Sequence, residues 1–336
     1  MPANLTPAYK AAEAHYKQAR DPAERLAALK EMLRVIPKHK GTDHLQGDIK
    51  AKIKELQADL IGPKKGGART GPATTIKPEG AGQIALIGPP NSGKSTLHAR
   101  VTGSHAQIGQ YPFTTQYPLP GMMPVHDVAI QLVDLPPIAI EHPVPWISNA
   151  LGPADGCLLV VDLGRPGCVE RVVQLIDLLR ERKVELSPIW PADRGGTTEH
   201  DLFTKVLPTL LVANKVDVDD DPSEELAILE ELAEITLPYR SVSAETGEGL
   251  EELGQWLFDE LGVVRVYTKI PGKDPDMGTP FTVRQGGTVH DVAELVHRDI
   301  ADNFKFARLW GGGGFEAQQV GRDHVVKDGD ILELHA

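Results

Sequence analysis

The sequence predicts an α/β protein with a mostly parallel central sheet and helices on both faces of that sheet. From residue 83 to residue 262, short apolar runs alternate with amphipathic helical stretches, which is the pattern of βαβ units. The first apolar run leads directly into a glycine-framed loop and a helical stretch. The pattern differs on either side, so we expect an N-terminal helical hairpin and a C-terminal β-grasp domain.

Formal charge separates the same three parts of the 336-residue chain. Residues 1–78 carry 15 basic and 8 acidic side chains, a net +7, whereas residues 79–262 carry 11 and 28, a net −17. Residues 263–336 carry 9 and 11 and have a net charge of −2. A basic segment attached to an acidic body predicts an arm that meets a polyanion, with structured RNA as the first candidate. The alternative is a lysine-rich helical face that is simply solvated.

Residues 1–61 are expected to form the basic helical hairpin. Asp21 and Pro22 supply an N-cap and an N1 proline, and two apolar stripes of helical spacing follow. The stripes comprise Leu26, Leu29, Leu33 and Ile36, then Leu45, Ile49, Ile53, Leu56 and Leu60. Residues 62–82 are rich in Gly, Pro, Thr and Lys without periodicity, so they predict a flexible linker.

The α/β region, residues 83–262, is expected to alternate strands with helices. The predicted strands are Ile84–Ile87, Gln116–Met122, Val128–Val133, Gly156–Val161, Thr209–Ala213 and Tyr239–Val242. The predicted helices are Lys94–Val101, Val144–Leu151, Val169–Arg182, Ser223–Ile235 and Leu250–Leu261. Because ligands of open α/β sheets bind beyond the carboxyl ends of the strands, the polar motifs at those ends carry the functional prediction.

The loop after the first strand fits the phosphate-binding pattern G-x-x-x-x-G-K-[ST]. Its glycines let successive backbone N–H groups curl around a polyphosphate, and the following helix adds the positive end of its dipole. Lys94 would reach the β- and γ-phosphates, and Ser95 would offer its hydroxyl to Mg²⁺. The predicted nucleotide contacts here are Gly88, Pro89, Pro90, Asn91, Ser92, Gly93, Lys94, Ser95 and Thr96.

Polar residues also end later strands. Asp134 is placed to hold Mg²⁺ through water, although an ordinary turn-capping aspartate is the alternative. Asn214, Lys215 and Asp217 form N-K-x-D, whose aspartate can accept hydrogen bonds from guanine N1–H and the exocyclic amine; adenine lacks that donor pair. Ser243-Ala244-Glu245 follows the last strand, where a backbone N–H would meet the guanine carbonyl. These residues predict GTP or GDP as ligand.

With these motifs in order, residues 83–261 resemble the P-loop GTPases. Tyr111-Pro-Phe-Thr-Thr115 resembles switch I of the Obg-related GTPases, including the developmentally regulated GTP-binding protein (DRG) branch. The resemblance implies slow hydrolysis of GTP to GDP and phosphate, with Lys94 and Thr115 as catalytic residues. A switch I threonine, Thr115 or Thr114, would bind Mg²⁺. Asn91 matches an asparagine associated with K⁺ in that family; a polar loop-tip residue is the alternative.

The flanking parts add to this resemblance. Residues 37–54 resemble the basic helical leader of the DRG branch, and residues 263–336 resemble a TGS domain, a β-grasp module linked in several families to RNA or ribosome binding. Its predicted elements are Val264–Ile270, Thr279–Val283, a helix Val289–Ile300, Lys305–Trp310, Glu316–Val320 and Ile331–Leu334. The implied partners are the ribosome or structured RNA, together with a regulatory protein. A generic β-grasp contact domain is the alternative.

The sequence departs from the family after Asp134. The family has D-x-x-G, whereas Pro137 replaces the glycine and has no N–H to donate to the γ-phosphate. Ile138 stands where Ras-like enzymes keep a water-orienting glutamine. Only residues 185–206 offer room for the inserted subdomain of the DRG branch. The alternative function is therefore a GTP-binding interaction or scaffold protein with little or no hydrolysis.

The predicted compartment is the cytoplasm, without a membrane association. The chain starts without a secretory pattern, and no apolar run approaches membrane-spanning length. The two cysteines, Cys157 and Cys168, have neither a disulfide-framework nor a metal-ligand spacing. Cys157 begins an apolar strand, so we interpret it as a small core residue.

Overall fold

The protein was analysed as a computed structural model. The structure describes residues 6–19, 22–37, 42–61, 74–104, 117–141, 143–193, 203–218, 222–311 and 315–336. The chain divides into two compact units, Met1–Lys77 and Pro78–Ala336. Among the described residues, no helix combines the length and the apolar character needed to cross a membrane. The predicted switch I residues Thr114 and Thr115 lie outside the described residues.

The first unit contains three described helices: α1 Pro7–Gln18, α2 Pro22–Val35 and α3 Asp43–Ile61. The predicted hairpin corresponds to α2 and α3. A further helix, α1, precedes the hairpin and packs on α2. Thr6 caps α1 by accepting from the Tyr9 N–H at 3.2 Å. The Tyr9 side chain is buried, so it adds apolar area to a core that two short helices would supply only sparsely.

The apolar stripes of α2 and α3 face inward as the periodicity predicts. Leu29, Met32 and Ile49 are fully buried, whereas Lys50 and Lys54 are exposed. These lysines therefore lie off the packed stripe of α3.

The second unit is built on a seven-stranded sheet in the order β2-β3-β1-β4-β6-β5, with β7 also pairing with β6. Its strands are β1 Gln83–Ile87, β2 Leu119–Val125, β3 Val128–Asp134, β4 Gly156–Val161, β5 Val184–Ser187, β6 Lys205–Asn214 and β7 Tyr239–Val242. Only β2 is antiparallel to its neighbour. The predicted α/β class with a mostly parallel sheet is confirmed.

Five helices accompany this sheet: α4 Lys94–Thr102, α5 Ile147–Leu151, α6 Cys168–Glu181, α7 Ser223–Ala233 and α8 Leu250–Glu260. Every residue of β1 and β4 is buried, so both faces of the sheet are covered there, as a parallel sheet requires. Cys157 is part of that buried strand and is a core residue as predicted. Leu253 and Leu257 of α8 belong to the same core cluster as the buried residues of β1 and β4.

Three predictions around the larger sheet differ from the structure. β2 lies three residues later than predicted, because it pairs with β3 as far as the two-residue turn at 126–127. β5 and the first two residues of β6 overlap residues 185–206, which the sequence suggested as room for an insertion. The predicted linker over 62–82 extends too far: the Ala81 N–H donates to the Ala129 carbonyl at 2.8 Å. Backbone groups that close to a sheet need partners.

A second, five-stranded sheet has the order β11-β10-β12-β8-β9. Its elements are β8 Val263–Thr268, β9 Asp276–Arg284, α9 Val289–Val296, α10 Arg298–Asp302, β10 Phe306–Gly311, β11 Phe315–Val320 and β12 Asp330–His335. The predicted single helix over 289–300 is interrupted at His297. This residue is extended, and its Nδ1 accepts from the Asp299 N–H at 3.1 Å, so it caps a new helix.

The two sheets of the second unit are joined by two arginines. Arg265 Nη1 lies 2.8 Å from Asp127 Oδ1, and Arg265 Nη2 lies 2.6 Å from Asp328 Oδ2. Tyr267 donates its hydroxyl to the same Asp127, and Arg284 Nη2 lies 2.8 Å from Asp155 Oδ2.

These contacts lie at one end of the strands of the larger sheet. Asp127 is in the turn before β3 and Asp155 directly precedes β4, so the smaller sheet contacts the amino ends of the parallel strands. The ligand is predicted at the carboxyl ends of these strands, on the opposite side of the sheet from the contact with the smaller sheet.

Arg265→Ala should destabilise the second unit by about 2 kcal/mol, because Asp127 and Asp328 lose their shared cation. Arg265 also holds the pKa of Asp328 below its ordinary value through hydrogen bonds. Urea unfolding followed by circular dichroism measures the loss.

The matched control for this test is Arg298→Ala in the same domain. Its side chain is 90% exposed and lies 3.9 Å from Asp302, so the change should stay within about 0.5 kcal/mol. Equal losses in the two variants would contradict the role given to Arg265.

Candidate nucleotide-binding site

The loop between β1 and α4 is held in a conformation that only glycine allows at two positions. Gly88 has φ 153°, and a Cβ there would lie 2.2 Å from the Val160 carbonyl oxygen. Gly93 has φ 90°, and its Cβ would lie 2.1 Å from Asn214 Nδ2. The glycines thus permit both the curl of the loop and its close contact with β4 and β6.

Lys94 is folded over this loop. Its side chain is buried, and Nζ donates to the Gly88 carbonyl at 3.0 Å and the Pro89 carbonyl at 3.1 Å. Burial lowers the pKa of Lys94 to about 8, although the negative charge of Asp134 opposes the shift. A desolvated ammonium inside a glycine-framed loop is suited to an entering anion, which would favour its charged form.

Ser95 and Asp134 lie side by side at the start of α4 and the end of β3. Ser95 Oγ donates to Asp134 Oδ2 at 2.6 Å, and Asp134 is fully buried. A hydroxyl and a carboxylate are the hard oxygen donors that Mg²⁺ prefers, and Mg²⁺ usually keeps several waters. This donor set therefore fits the predicted ion, with Ser95 as a direct ligand and Asp134 acting through water.

Asn214 joins the loop to the segments after β6 and β7. Its Nδ2 donates to the Ser92 carbonyl at 2.9 Å, and its Oδ1 accepts from the Ala244 N–H at 3.0 Å. The side chain is buried. One carboxamide thus fixes the separation between the predicted phosphate and base subsites.

The remaining base-side residues surround this carboxamide. Ser243 is fully buried and donates from Oγ to Asp217 Oδ1 at 2.5 Å, whereas Asp217 and Glu245 are exposed. Lys215 has φ 74° and donates from Nζ to Asp162 Oδ2 at 2.6 Å and the Asn91 carbonyl at 3.3 Å. Lys215 and Asp217 follow β6, and Ser243 and Glu245 follow β7, as predicted.

The other predicted loop residues are placed around Lys94. Pro89 and Ser92 are buried, Pro90 and Thr96 are half-buried, and Asn91 is exposed with φ 64°. The Ser92 hydroxyl has no hydrogen-bond partner within the described part of the chain.

Two residues of this region were missed by sequence reasoning. Asp162 anchors Lys215, and Arg165 donates from Nη1 to the Pro90 carbonyl at 3.2 Å. Asp162 directly follows β4, so the strand-end argument used for Asp134 would have found it. Nothing in the sequence near Arg165 indicated a contact with a loop 75 residues earlier.

Comparison with known families completes this description. Residues 83–190 match the family described as 50S ribosome-binding GTPase, and residues 264–336 match the TGS domain. The chain belongs to the P-loop GTPases. Its TGS domain lies at the C-terminal end, and over most of its length the chain is similar to GTP-binding proteins of the DRG type.

Relatives of this P-loop GTPase align over most of its length. The uncharacterized GTP-binding protein MJ1326 of Methanocaldococcus jannaschii is 28% identical, over 93% of this chain and 92% of its own. Developmentally-regulated GTP-binding protein 2 of Mus musculus is 25% identical, over 93% of this chain and 98% of its own length. The structure of the YchF GTPase from Schizosaccharomyces pombe has a TM-score of 0.54 at 13% identity, over 77% of this chain and 98% of the YchF chain. This likeness shows a shared fold.

The segment after Asp134 is fixed to the phosphate-binding loop of this GTPase. The Leu135 N–H donates to the Leu86 carbonyl at 3.2 Å, and the Ile138 N–H donates to the Gly88 carbonyl at 3.4 Å. Pro136 and Pro137 lie between them, are buried, and have no N–H. Across these four residues, every backbone N–H is therefore either absent or already bonded to β1 or the loop.

Asn214→Ala should lower the free energy of unfolding by about 2–4 kcal/mol, because the Ala244 N–H and the Ser92 carbonyl lose their buried partner. GTP affinity should fall in the same variant, because the phosphate and base segments are no longer joined. Urea unfolding and titration with a fluorescent GTP analogue measure the two effects. For the unfolding measurement alone, Lys215→Met is the control, because it removes a neighbouring side chain that is more exposed. A stable Asn214→Ala protein with normal affinity would contradict the prediction.

Raising the pH should weaken nucleotide binding. The free protein loses the Lys94 proton as the pH passes about 8, whereas bound phosphates raise this pKa and keep the proton. Affinity is therefore nearly full at pH 7 and about fourfold lower at pH 8.5. Calorimetry at pH 8.5 in buffers of different ionisation enthalpy should detect proton uptake. Identical heats in all buffers would rule out titration of Lys94.

Proposed function

We propose that the protein slowly hydrolyses GTP to GDP and phosphate in the cytoplasm and couples its nucleotide state to structured RNA or the ribosome. The observation that carries this proposal is the convergence of the buried Lys94 ammonium, the Ser95–Asp134 pair and the Asn214 clamp at one edge of the sheet. Phosphate, metal-ion and base recognition all need to meet at that edge.

Each side chain has a defined task in this proposal. Lys94 and the loop N–H groups stabilise the charge that develops on the phosphates while water attacks in line. Asp217, oriented by Ser243, accepts from guanine. When bound by Ser95 and Asp134, Mg²⁺ supplies positive charge at the β- and γ-phosphate oxygens. Thr115 or Thr114 would complete that ion site, and Asn91 would hold K⁺; these two roles rest on the family resemblance.

RNA or ribosome binding is supported by the parts outside the α/β region. The first 78 residues have a net charge of +7, and Lys50 and Lys54 of α3 are exposed to solvent. TGS domains are often associated with RNA or ribosome binding. A regulatory protein partner would supply a water-orienting group, because Ile138, at the position of the Ras-like glutamine, is buried and apolar.

A second candidate function is a GTP-binding interaction protein that hardly hydrolyses its nucleotide. The observation that favours it is the fixed segment after Asp134, in which Pro137 lacks an N–H and the Ile138 N–H already bonds to Gly88. A switch without available donors senses the γ-phosphate poorly.

Single-turnover hydrolysis in KCl and in NaCl, each with and without ribosomes, separates these candidates. We expect a slow basal rate that rises in KCl and rises again with ribosomes. Nucleotide-dependent co-sedimentation with ribosomes, measured on the same samples, tests the coupling. Rates equal to that of free GTP in all four conditions would leave the interaction protein as the answer.

Pro137→Gly should strengthen binding of a non-hydrolysable GTP analogue relative to GDP. The glycine restores an N–H near the γ-phosphate position of the family, and a hydrogen bond to a charged group contributes about 1.5–3 kcal/mol. The affinity for the GTP analogue relative to GDP should therefore rise at least tenfold, which corresponds to about 1.4 kcal/mol of binding free energy. Competition titrations against a fluorescent GDP derivative measure it.

Pro136→Gly is the matched control for that variant, since it relaxes the same segment without placing a donor at residue 137. Its affinity ratio should equal that of the wild type. A parallel shift in both variants would assign the effect to backbone flexibility and remove the argument for a missing donor.

A further inference from the structure

The face of the TGS sheet opposite α9 carries aromatic and basic side chains. Strand alternation places Val264, Val266, Ala307 and Leu332 in the core with α9, so the intervening residues point to the other side. Register pairs these residues across the strands: Phe306 lies opposite His335 and Arg308 opposite Glu333. We call the surface formed by Lys269, Phe306, Arg308, Trp310 and His335 the aromatic face.

The rings of the aromatic face are already organised. Phe306 and His335 stack with centroids 4.4 Å apart and planes inclined by 13°. Lys269 Nζ lies 4.2 Å from the centre of the Trp310 ring. The rings and cations therefore alternate across two adjoining strands and the residue that follows β8.

A buried carboxylate holds the cations in place. Glu333 is 3% exposed, and its oxygens lie 2.8 Å from His335 Nε2, 3.5 Å from Arg308 Nη1 and 3.9 Å from Lys269 Nζ. Arg308 remains 51% exposed. Glu333 carries one negative charge, and Arg308 and Lys269 carry one positive charge each. The aromatic face therefore keeps a net positive charge.

The aromatic face lies beside the contact between the two sheets. Arg265 and Tyr267 point to the same side of β8 as Lys269, and both bind Asp127. That contact reaches along β8 as far as Tyr267. The aromatic face is built on the neighbouring strands β10 and β12 and on the residue that follows β8.

We propose that the aromatic face binds unpaired bases of single-stranded RNA; this rests on the proposed RNA-coupled function and names its surface. Flat aromatic rings interleaved with Lys and Arg form a platform on which bases stack, and each stacked base contributes about 1–3 kcal/mol. Residues 263–336 have a net charge of −2, which does not suit a groove that follows many phosphates. Stacking on Trp310 and Phe306 therefore carries the affinity, and Arg308 and Lys269 each meet a single phosphate or base edge.

The test measures binding of fluorescein-labelled hexaadenylate RNA to the full-length protein by fluorescence anisotropy, with a 12-base-pair RNA duplex as comparison. Trp310→Ala should weaken hexaadenylate binding at least fivefold, and Trp310→Phe should stay within threefold of wild type, because it keeps a ring for stacking. Lys269→Ala should weaken binding two- to threefold. The salt dependence of hexaadenylate binding should be shallow.

The control variant is Tyr239→Ala, which removes an aromatic ring that is 46% exposed on β7, away from the aromatic face. Equal affinities of Trp310→Ala and Tyr239→Ala would overturn the proposal, as would a duplex that binds as tightly as hexaadenylate. Unchanged hexaadenylate binding together with weaker ribosome co-sedimentation in Trp310→Ala would overturn it in favour of a protein partner.

Measurements of GTP hydrolysis and ribosome co-sedimentation on the same preparations separate the two levels of the proposal. If the wild type binds hexaadenylate through Trp310 but shows no nucleotide-dependent ribosome binding, only the coupled function fails. If ribosome coupling is present and Trp310→Ala binds hexaadenylate normally, only the aromatic face fails.

Discussion

The nucleotide site depends on one buried carboxamide. Asn214 satisfies the Ser92 carbonyl and the Ala244 N–H at the same time, and it sits so close to Gly93 that a methyl group there would collide with it. Three segments that are far apart in the chain are thereby held at fixed distances. A ligand that must place its phosphates on one segment and its base on another needs this spacing before it binds, because ordering the segments afterwards would cost conformational entropy.

The parts of the fold that were predictable from sequence are those with a local cause. The phosphate-binding loop was predicted because Gly88 and Gly93 need conformations that other residues rarely adopt. The positions of Asp134 and Asp217 followed from the rule that ligands meet the carboxyl ends of strands. Their roles toward a bound nucleotide, and that of Thr115, remain predictions.

Other features were not predictable because their cause is distant in the chain. The contact between Arg265 and Asp127 joins residues 138 positions apart, and no local pattern marks either partner. β2 was displaced in the prediction because its ends are set by pairing with β3, and nothing in the sequence of β2 alone marks that register. Helix α1 was not separated from its neighbours because its packing depends on Tyr9, which no apolar stripe indicated.

The candidate nucleotide site lies at the carboxyl ends of the parallel strands and the TGS domain at their amino ends, and β3 runs between them. Asp127 precedes the first residue of this strand and Asp134 is its last, a separation of about 23 Å at the rise of an extended strand. No flexible loop interrupts that path. The anchor of the TGS domain and the carboxylate beside the phosphate-binding loop are therefore the two ends of one strand, and neither end can be displaced without straining the hydrogen bonds that pair β3 with β1 and β2.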